Sequence, residues 1–334
     1  MLKTFKKILI YNSGGGLGDA IQLIPLIISL KKGFQQAELF YLGSHTNHFD
    51  SKLKEYNLKI STLDLNLNYF GFRWWHLLKV KKIIQKKKIN TFDLVIDLQS
   101  KIRNTIILKQ IPCRYFYSST FNYMLCSKDV NRLNFKKPDN EEGGIQSLIL
   151  NLKVFLNYKF ETLKFSINNI DIKYKTEAEK LLPEKNYIGF SITQGNKYRK
   201  KSWEIINFIE LAKKYISEGK KAVFFIEKSE VDLIDQIKTK LPDSLFPEHK
   251  SEMACPALVT TLASRLEGAV TIDNGIMHMI GLTKIPMIIL FGPTNSKKFA
   301  PSGSNITIID SKEIYKSEDI NKITVQDVIK KINF

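Results

Sequence analysis

Cysteine is scarce in this chain. Three residues, Cys113, Cys126 and Cys255, are scattered through 334 positions with no metal-ligating spacing. That argues against a disulfide framework and fits a reducing compartment. The five histidines, at 45, 48, 76, 249 and 278, form no metal motif. His45 and His48 are three apart, but Asp50 alone beside them does not complete a site. Long apolar runs are missing too. After Lys3, Lys6 and Lys7 only Ile8 to Tyr11 is apolar, too short for a signal-peptide core. No run approaches the roughly 18 apolar residues of a membrane helix. The expectation is a cytoplasmic protein, or one attached to a membrane from its cytosolic side. There is no internal repeat, and no Ser-His-Asp or Cys-His arrangement can be argued from spacing.

Acidic residues are in deficit, and mostly in one half. Lys and Arg number 51 against 33 Asp and Glu, a net of +18. Residues 1–165 hold 26 against 12, a net of +14; residues 166–334 hold 25 against 21, a net of +4. A basic half invites an anionic partner: nucleic acid, acidic lipid or a phosphorylated glycan. A lysine-rich compositional bias would add cations everywhere and does not account for the asymmetry. No nucleic-acid recognition motif accompanies the charge. The length suggests about two domains, and 43% hydrophobic residues suffice for a core.

What is present is a repeated strand–loop–helix grammar. Lys7–Tyr11 reads as a buried strand. It is followed by Asn12-Ser13-Gly14-Gly15-Gly16-Leu17-Gly18-Asp19 and an apolar helix from about Ala20 to Lys32. The glycines do not make a dinucleotide fingerprint: Asp19 stands where the last glycine belongs, and no acidic residue ends the next strand, Leu39–Leu42. A P-loop is excluded because no Lys-Ser/Thr follows. A carboxylate at the mouth of such a loop repels phosphate and suits a general base; the other reading of Asp19 is an N-cap. Gly71–Lys88 carries Trp74, Trp75 and six lysines around a stripe of Leu77, Val80 and Ile84. It reads as a surface helix with solvated lysines, or as a helix facing a membrane. Phe92–Asp97 is a buried strand ending in Asp97-Leu98-Gln99, with Lys101 and Arg103 at the next helix start. Asp97 is open to a site role or a structural cap. Residues 111–147 read as irregular, followed by a helix from about Ile145 to Leu156.

Residues 160–184 read as a join. A second α/β unit opens at Tyr187–Ser191. The loop Thr193–Trp203 carries Lys197, Arg199, Lys200 and Lys201 ahead of a helix at about Glu204–Ser217, a setting suited to a diphosphate. A strand follows at Ala222–Ile226, with Glu227 and Glu230 beyond it, and a helix at Leu258–Leu266. Strand Ala269–Ile272 then runs through Asp273-Asn274-Gly275 into a helix at about Met277–Leu282, and a last strand reaches Phe291-Gly292-Pro293-Thr294. Asp273 and Asn274 cap that helix, or they and His278 serve a phosphate-bearing ligand. The closing helix is expected at about Val325–Ile332.

Four stretches together resemble the ADP-heptose:lipopolysaccharide heptosyltransferases, glycosyltransferase family 9. They are "ILIYNSGGGLGDAIQLIP" at 8–25, "DLVIDLQSKIRN" at 93–104, "KKSW" at 200–203 and "DNGIMHMIGLTKIPMIILFGPT" at 273–294. The resemblance implies an α/β chain of GT-B fold, two Rossmann-like parallel-sheet domains facing across a cleft. Residues 1–165 would bind the acceptor and 175–315 the nucleotide sugar. The segment 316–334 would form a helix that in this family often packs back on the first domain.

The resemblance further implies an inverting, metal-independent enzyme without a cofactor. It would move a heptose from an ADP-sugar to a lipopolysaccharide core or other anionic glycolipid. Asp19 would be the catalytic base. Thr193, Lys201, Asp273, Asn274, Gly275 and His278 would bind the donor. Gly16, Gly18, Asp97, Gln99 and Arg103 would face the acceptor. Glycines often follow the Ala222–Ile226 strand in such families; here Ile226-Glu227 stands there, with Glu230 as a candidate for the nucleotide ribose. Two other classes compete: a non-catalytic nucleotide- or polyanion-binding protein of the same fold, and an NAD-dependent enzyme, disfavoured by the broken fingerprint.

Overall fold

The structure, a computed structural model, describes residues 5–12, 16–43, 48–65, 72–87, 89–99, 101–127, 144–195, 198 and 200–332. The chain divides into two compact units, Met1–Lys164 and Phe165–Phe334.

In unit 1, β1 (Lys7–Tyr11) leads to α1 (Leu17–Ile21) and α2 (Ile24–Gly33). Then come β2 (Glu38–Leu42), β3 (Ser61–Thr62), α3 (His76–Lys86) and β4 (Phe92–Asp97). The unit closes with α4 (Ile102–Leu108), β5 (Cys113–Ser118) and α5 (Gly144–Leu156). The strands form one parallel sheet in the order β3-β2-β1-β4-β5. Register aligns the strand ends: Tyr11 pairs with Leu42 and with Asp97, and Asp97 with Ser118. The residues of β1 from Ile8 to Tyr11 are all buried, as a central parallel strand covered on both faces requires.

Two elements differ from the sequence expectation. The single helix expected over Ala20–Lys32 is two helices, because Pro25 has no N–H to give to Ile21 and its ring crowds the preceding turn. Pro25 instead sits in the first turn of α2, where no donor is needed. The stretch read as irregular contains β5. Among the described residues it is an edge strand paired only to β4, so a polar residue such as Arg114 is tolerated and the apolar pattern is diluted.

Unit 2 begins with α6 (Ile172–Leu181), inside the stretch read as a join, where the Asp171 side chain accepts from the Lys173 N–H. It continues with β6 (Tyr187–Ser191), α7 (Ile205–Ser217), β7 (Lys221–Phe225) and α8 (Val231–Lys240). Next are α9 (Pro256–Ala263), β8 (Gly268–Ile272), α10 (Gly275–Gly281) and β9 (Met287–Phe291). The last elements are α11 (Ser296–Phe299), β10 (Ile306–Asp310), α12 (Ser311–Tyr315) and α13 (Val325–Ile329). The parallel sheet runs β10-β9-β8-β6-β7. Strands β6, β8 and β9 are buried at every residue.

Gly189 leaves room on the face of β6 for the Leu266 side chain. A Cβ there would lie 2.5 Å from Leu266 Cδ1. Trp203 buries its ring among Phe208 and the sheet residues and donates Nε1–H to the Ile323 carbonyl at 2.8 Å. That bond ties the C-terminal segment to the start of α7. Val325 and Val328 of α13 lie in the same core, each contributing roughly 1.5 kcal/mol or more by burial.

Candidate active site

In each sheet the strand order reverses direction once, and the chain leaves neighbouring strands toward opposite faces there. Such a switch point opens a crevice at the carboxyl ends of the strands. It lies between β1 and β4 in unit 1 and between β6 and β8 in unit 2.

At the unit 2 switch point the sequence after β8 turns immediately into α10. Asn274 is the N-cap. Its Oδ1 accepts from the Met277 N–H at 2.8 Å, and its Nδ2 donates to Ser191 Oγ at 2.7 Å and to the Thr193 carbonyl at 2.8 Å. One amide thus joins the ends of β6 and β8 and starts the helix. Gly275 is the first helical residue. The helix starts two residues before the expected Met277, because Asn274 caps it directly. It has seven residues, so its dipole is small and charge at this site rests chiefly on side chains.

Lys201 supplies that charge. Its Nζ lies 2.6 Å from Asp273 Oδ2 and 3.2 Å from the Asp273 carbonyl, with both side chains mostly buried. An ammonium has three protons; among the described residues these two contacts leave one for a ligand oxygen. The backbone holds the lysine as well, since the Lys201 N–H donates to Gln194 Oε1 at 2.6 Å. Of the other cations of this loop, Lys200 is exposed, and Lys197 and Arg199 lie outside the described residues. His278 is buried. Burial lowers its pKa to about 4, with Asp273 pulling upward and Lys201 downward. At neutral pH it is therefore an uncharged imidazole, a hydrogen-bonding group and not a cation.

Beside Thr193 a cavity of about 400 Å³ opens, lined by Ile192, Thr193, Gln194, Trp203, Glu230 and Leu233 among others. It pairs apolar walls with a carboxylate at the N-cap of α8, the mixture expected of a small-molecule site.

At the unit 1 switch point the groups are different. Asn12 follows β1 and is buried. Its Nδ2 donates to the Asp19 carbonyl at 2.9 Å, and its Oδ1 accepts from Gln99 Nε2. Asn12 therefore brings the Gly16–Asp19 turn and the end of β4 together. Asp19 is half-buried in α1, and a Cβ on Gly16 would come 3.1 Å from its Oδ2. Gly16 is the N-cap of α1, and Gly18 lies within it. Tyr41 is close enough that the Asp19 charge, after burial, helps push its phenol well above the usual range.

Asp97 is fully buried. Its Oδ1 accepts from the Gln99 N–H at 3.0 Å, and its Oδ2 from Thr105 Oγ1 at 2.5 Å and Ser118 Oγ at 2.8 Å. Those bonds make it a clamp on the β4–α4 loop, while Gln99 faces the cluster. Arg103 stands in the first turn of α4, half-buried, and the His76 pKa is lowered by burial and by the charges of Lys79, Arg73 and, least, Arg103. Its Nε is buried without a hydrogen-bond partner among the described residues. Gly14 and Gly15 lie outside the described residues, as do His45, Lys128, Arg132, Lys136, Lys137 and Gly143.

The sequence reading did not single out Asn12, Tyr41, Gln194 or Ser191 as site residues. A signal existed for one of them: Asn12 follows its strand closely, as Asn274 does. Among the described residues no group of three or more His, Cys, Asp or Glu could hold a metal ion, and no helix is long and apolar enough to cross a membrane.

Residues 80–329 match the family model of glycosyltransferase family 9 (heptosyltransferase). The chain belongs to this family. A curated relative, lipooligosaccharide heptosyltransferase 2 of Haemophilus influenzae, is 27% identical over 132 residues. That match spans 39% of this chain and 38% of the relative's length. Among solved structures, a family 9 glycosyl transferase from Veillonella parvula aligns with a TM-score of 0.70 at 18% identity, covering 99% of this chain and 97% of that one. The ADP-heptose lipopolysaccharide heptosyltransferase II of E. coli aligns with a TM-score of 0.62 at 17% identity, covering 97% and 96%. These likenesses show the fold: GT-B, two parallel-sheet α/β units in one chain.

Proposed function

We propose that this family 9 protein transfers a heptose or a related sugar from an ADP-sugar to a lipopolysaccharide core, or to another anionic glycolipid, with inversion and without a metal. The observation that carries the reading is the Lys201–Asp273–Asn274 arrangement at the unit 2 switch point. A mostly buried lysine, held by a carboxylate and set beside a capped turn, suits a diphosphate oxygen. Thr193, Gly275 and neutral His278 complete the donor site. The neighbouring cavity takes the nucleoside, with Glu230 toward the ribose hydroxyls.

In unit 1, Asp19 is the base. The acceptor hydroxyl oxygen attacks the anomeric carbon as the bond to the ADP oxygen breaks. The hydroxyl proton passes to the Asp19 carboxylate, and the charge growing on ADP is met by Lys201. A single displacement of this kind inverts the anomeric centre. Gly16 and Gly18 keep side chains away from the carboxylate. Gln99 and Arg103 face the acceptor, and Asp97 positions their loop. In this reading the protein works on the cytoplasmic face of the inner membrane, where a glycolipid acceptor is within reach.

The test is ADP release from a panel of nucleotide sugars, with and without a truncated lipopolysaccharide acceptor, in the presence of a chelator. Acceptor-dependent ADP release from ADP-heptose is the expected result, with an inverted product anomer by NMR. Release from a different nucleotide sugar would overturn the donor. ADP binding with no release from any donor would favour a non-catalytic binder.

A further inference from the structure

The outward side of α3 carries a feature that the site does not use. Val80, Ile84 and His76 face the unit 1 core and are buried. On the opposite side, Trp74 is 56% exposed, Trp75 61% and Leu78 70%. Lys79, Lys81, Lys82 and Lys86 are exposed on that side as well. Positions 78, 81–82 and 85–86 recur every three to four residues and make one stripe along α3, with Trp74 and Trp75 in the turn that leads into it. From Phe72 to Lys87 there is no acidic residue.

We propose that this face of α3 docks on an anionic phospholipid bilayer. Trp74, Trp75 and Leu78 enter the headgroup layer and the lysines pair with lipid phosphates. Two tryptophans and a leucine held out together in water gain by burial, and indole suits the membrane interface, where one edge stays wet. The lysines that follow match a negatively charged surface. A protein partner fits less well, because protein interfaces are depleted of lysine at their centres, whereas here Lys79, Lys81, Lys82 and Lys86 follow directly on the exposed apolar groups. The surplus of positive charge in unit 1 adds to the attraction. The inference stands on exposure and charge and does not depend on the transferase reading.

The test is flotation of the full chain with vesicles of phosphatidylcholine, with and without phosphatidylglycerol, in the absence of donor and acceptor. The wild type is expected to float with the phosphatidylglycerol vesicles. Its fluorescence should be quenched by brominated acyl chains, since the third tryptophan, Trp203, is buried and hydrogen-bonded in unit 2. Trp74→Ser/Trp75→Ser/Leu78→Ser should lower partitioning about tenfold or more, with an unchanged melting temperature. If that variant melts lower, Lys81→Gln/Lys82→Gln/Lys86→Gln decides, by weakening binding and flattening its salt dependence. Wild-type partitioning in both variants, or no quenching by brominated lipid, would overturn the proposal. So would self-association without lipid that disappears in the serine variant, which would make the face a contact between copies of the chain.

Discussion

Units 1 and 2 are built on similar parallel sheets, and each sets an asparagine just after a switch-point strand. Asn12 joins the Asp19 turn to Gln99, and Asn274 joins Ser191 and Thr193 to the start of α10. The side chains around the two amides differ. Unit 1 gathers carboxylates, amides and a phenol: Asp19, Asp97, Gln99 and Tyr41. Unit 2 gathers a mostly buried lysine, its carboxylate and an uncharged imidazole. In the proposed mechanism one set handles a proton and the other receives negative charge. The contrast runs opposite to net charge, for unit 1 is the more basic unit while its switch point is acidic. Bulk charge therefore says little about the chemistry of a site, and among the described residues most lysines of unit 1 are exposed.

The largest expected effect tests the unit 1 half of this contrast. Asp19→Asn keeps shape and removes the proton acceptor. Turnover should fall by about 10²–10⁴-fold, while ADP affinity measured by calorimetry stays within experimental scatter. Near-normal turnover would remove the base from unit 1 and leave Asp19 as part of the α1 turn.

A pH experiment probes unit 2. His278 has its pKa lowered from 6.5 to about 4 by burial. The unfolded chain thus takes up a proton that the folded chain refuses, and this contribution to stability is intact above pH 6.5 and is lost as pH falls toward 4. The loss amounts to up to about 1.4 kcal/mol per pH unit, or about 3 kcal/mol in all. Glu248 works the other way. Burial, with Glu227 adding to it, raises its pKa from 4.5 to about 7, so its contribution is present below 4.5 and is lost as pH rises toward 7. The two oppose each other over much of the acidic range. Urea unfolding across that range should show a steeper fall with acid in Glu248→Gln than in wild type, and a shallower one in His278→Gln. Parallel profiles for all three proteins would mean that neither group is perturbed by folding.

The sequence was most informative where one residue type has one physical consequence. The buried strands β1, β4 and β6 could be bounded to the residue from apolar runs between breakers. The Asp273–His278 segment stood out because a strand, a capping pair and a helix follow one another without a gap. Pro25 was visible, yet the apolar run across it masked the break that its missing N–H enforces. Strand β5 was hidden because an edge strand does not need two apolar faces. The site was partly readable: Asp19 and Asp273 announce themselves as carboxylates at loop mouths. What could not be read was contact across distance. No local pattern tells that Lys201 reaches Asp273, seventy-two positions later, or that Asn12 meets Gln99. Nor does one show that Asp97 turns inward to three donors instead of outward to a ligand.

The Lys201–Asp273 pair permits a sharper test of unit 2. Lys201→Ala removes the cation and leaves Asp273 facing the incoming diphosphate. A charged hydrogen bond is lost and a repulsion remains, so ADP affinity should fall roughly ten- to a hundredfold. The double variant Lys201→Ala/Asp273→Asn removes the repulsion too, and should recover part of the loss. If the single variant binds ADP as the wild type does, the diphosphate lies elsewhere and the contrast between the units loses its second half.

The smallest effect compares the two asparagines directly. Asn274→Ala deletes an N-cap and two further bonds between β6 and β8. It should cost about 1–2 kcal/mol of stability, lower the melting temperature and weaken ADP binding. Asn274→Ser restores the cap to α10 but not the bridge to Thr193. Stability should return more than affinity does, because the shorter side chain still meets the Met277 N–H and no longer holds the β6 loop. Asn12→Ala caps nothing, yet it frees both the Asp19 turn and Gln99. Its signature should be the reverse: lower turnover with ADP affinity unchanged. If the two alanine variants behaved alike in turnover, ADP affinity and melting, the amides would serve only the sheets, and the division of chemistry between the units would rest on Asp19 and Lys201 alone.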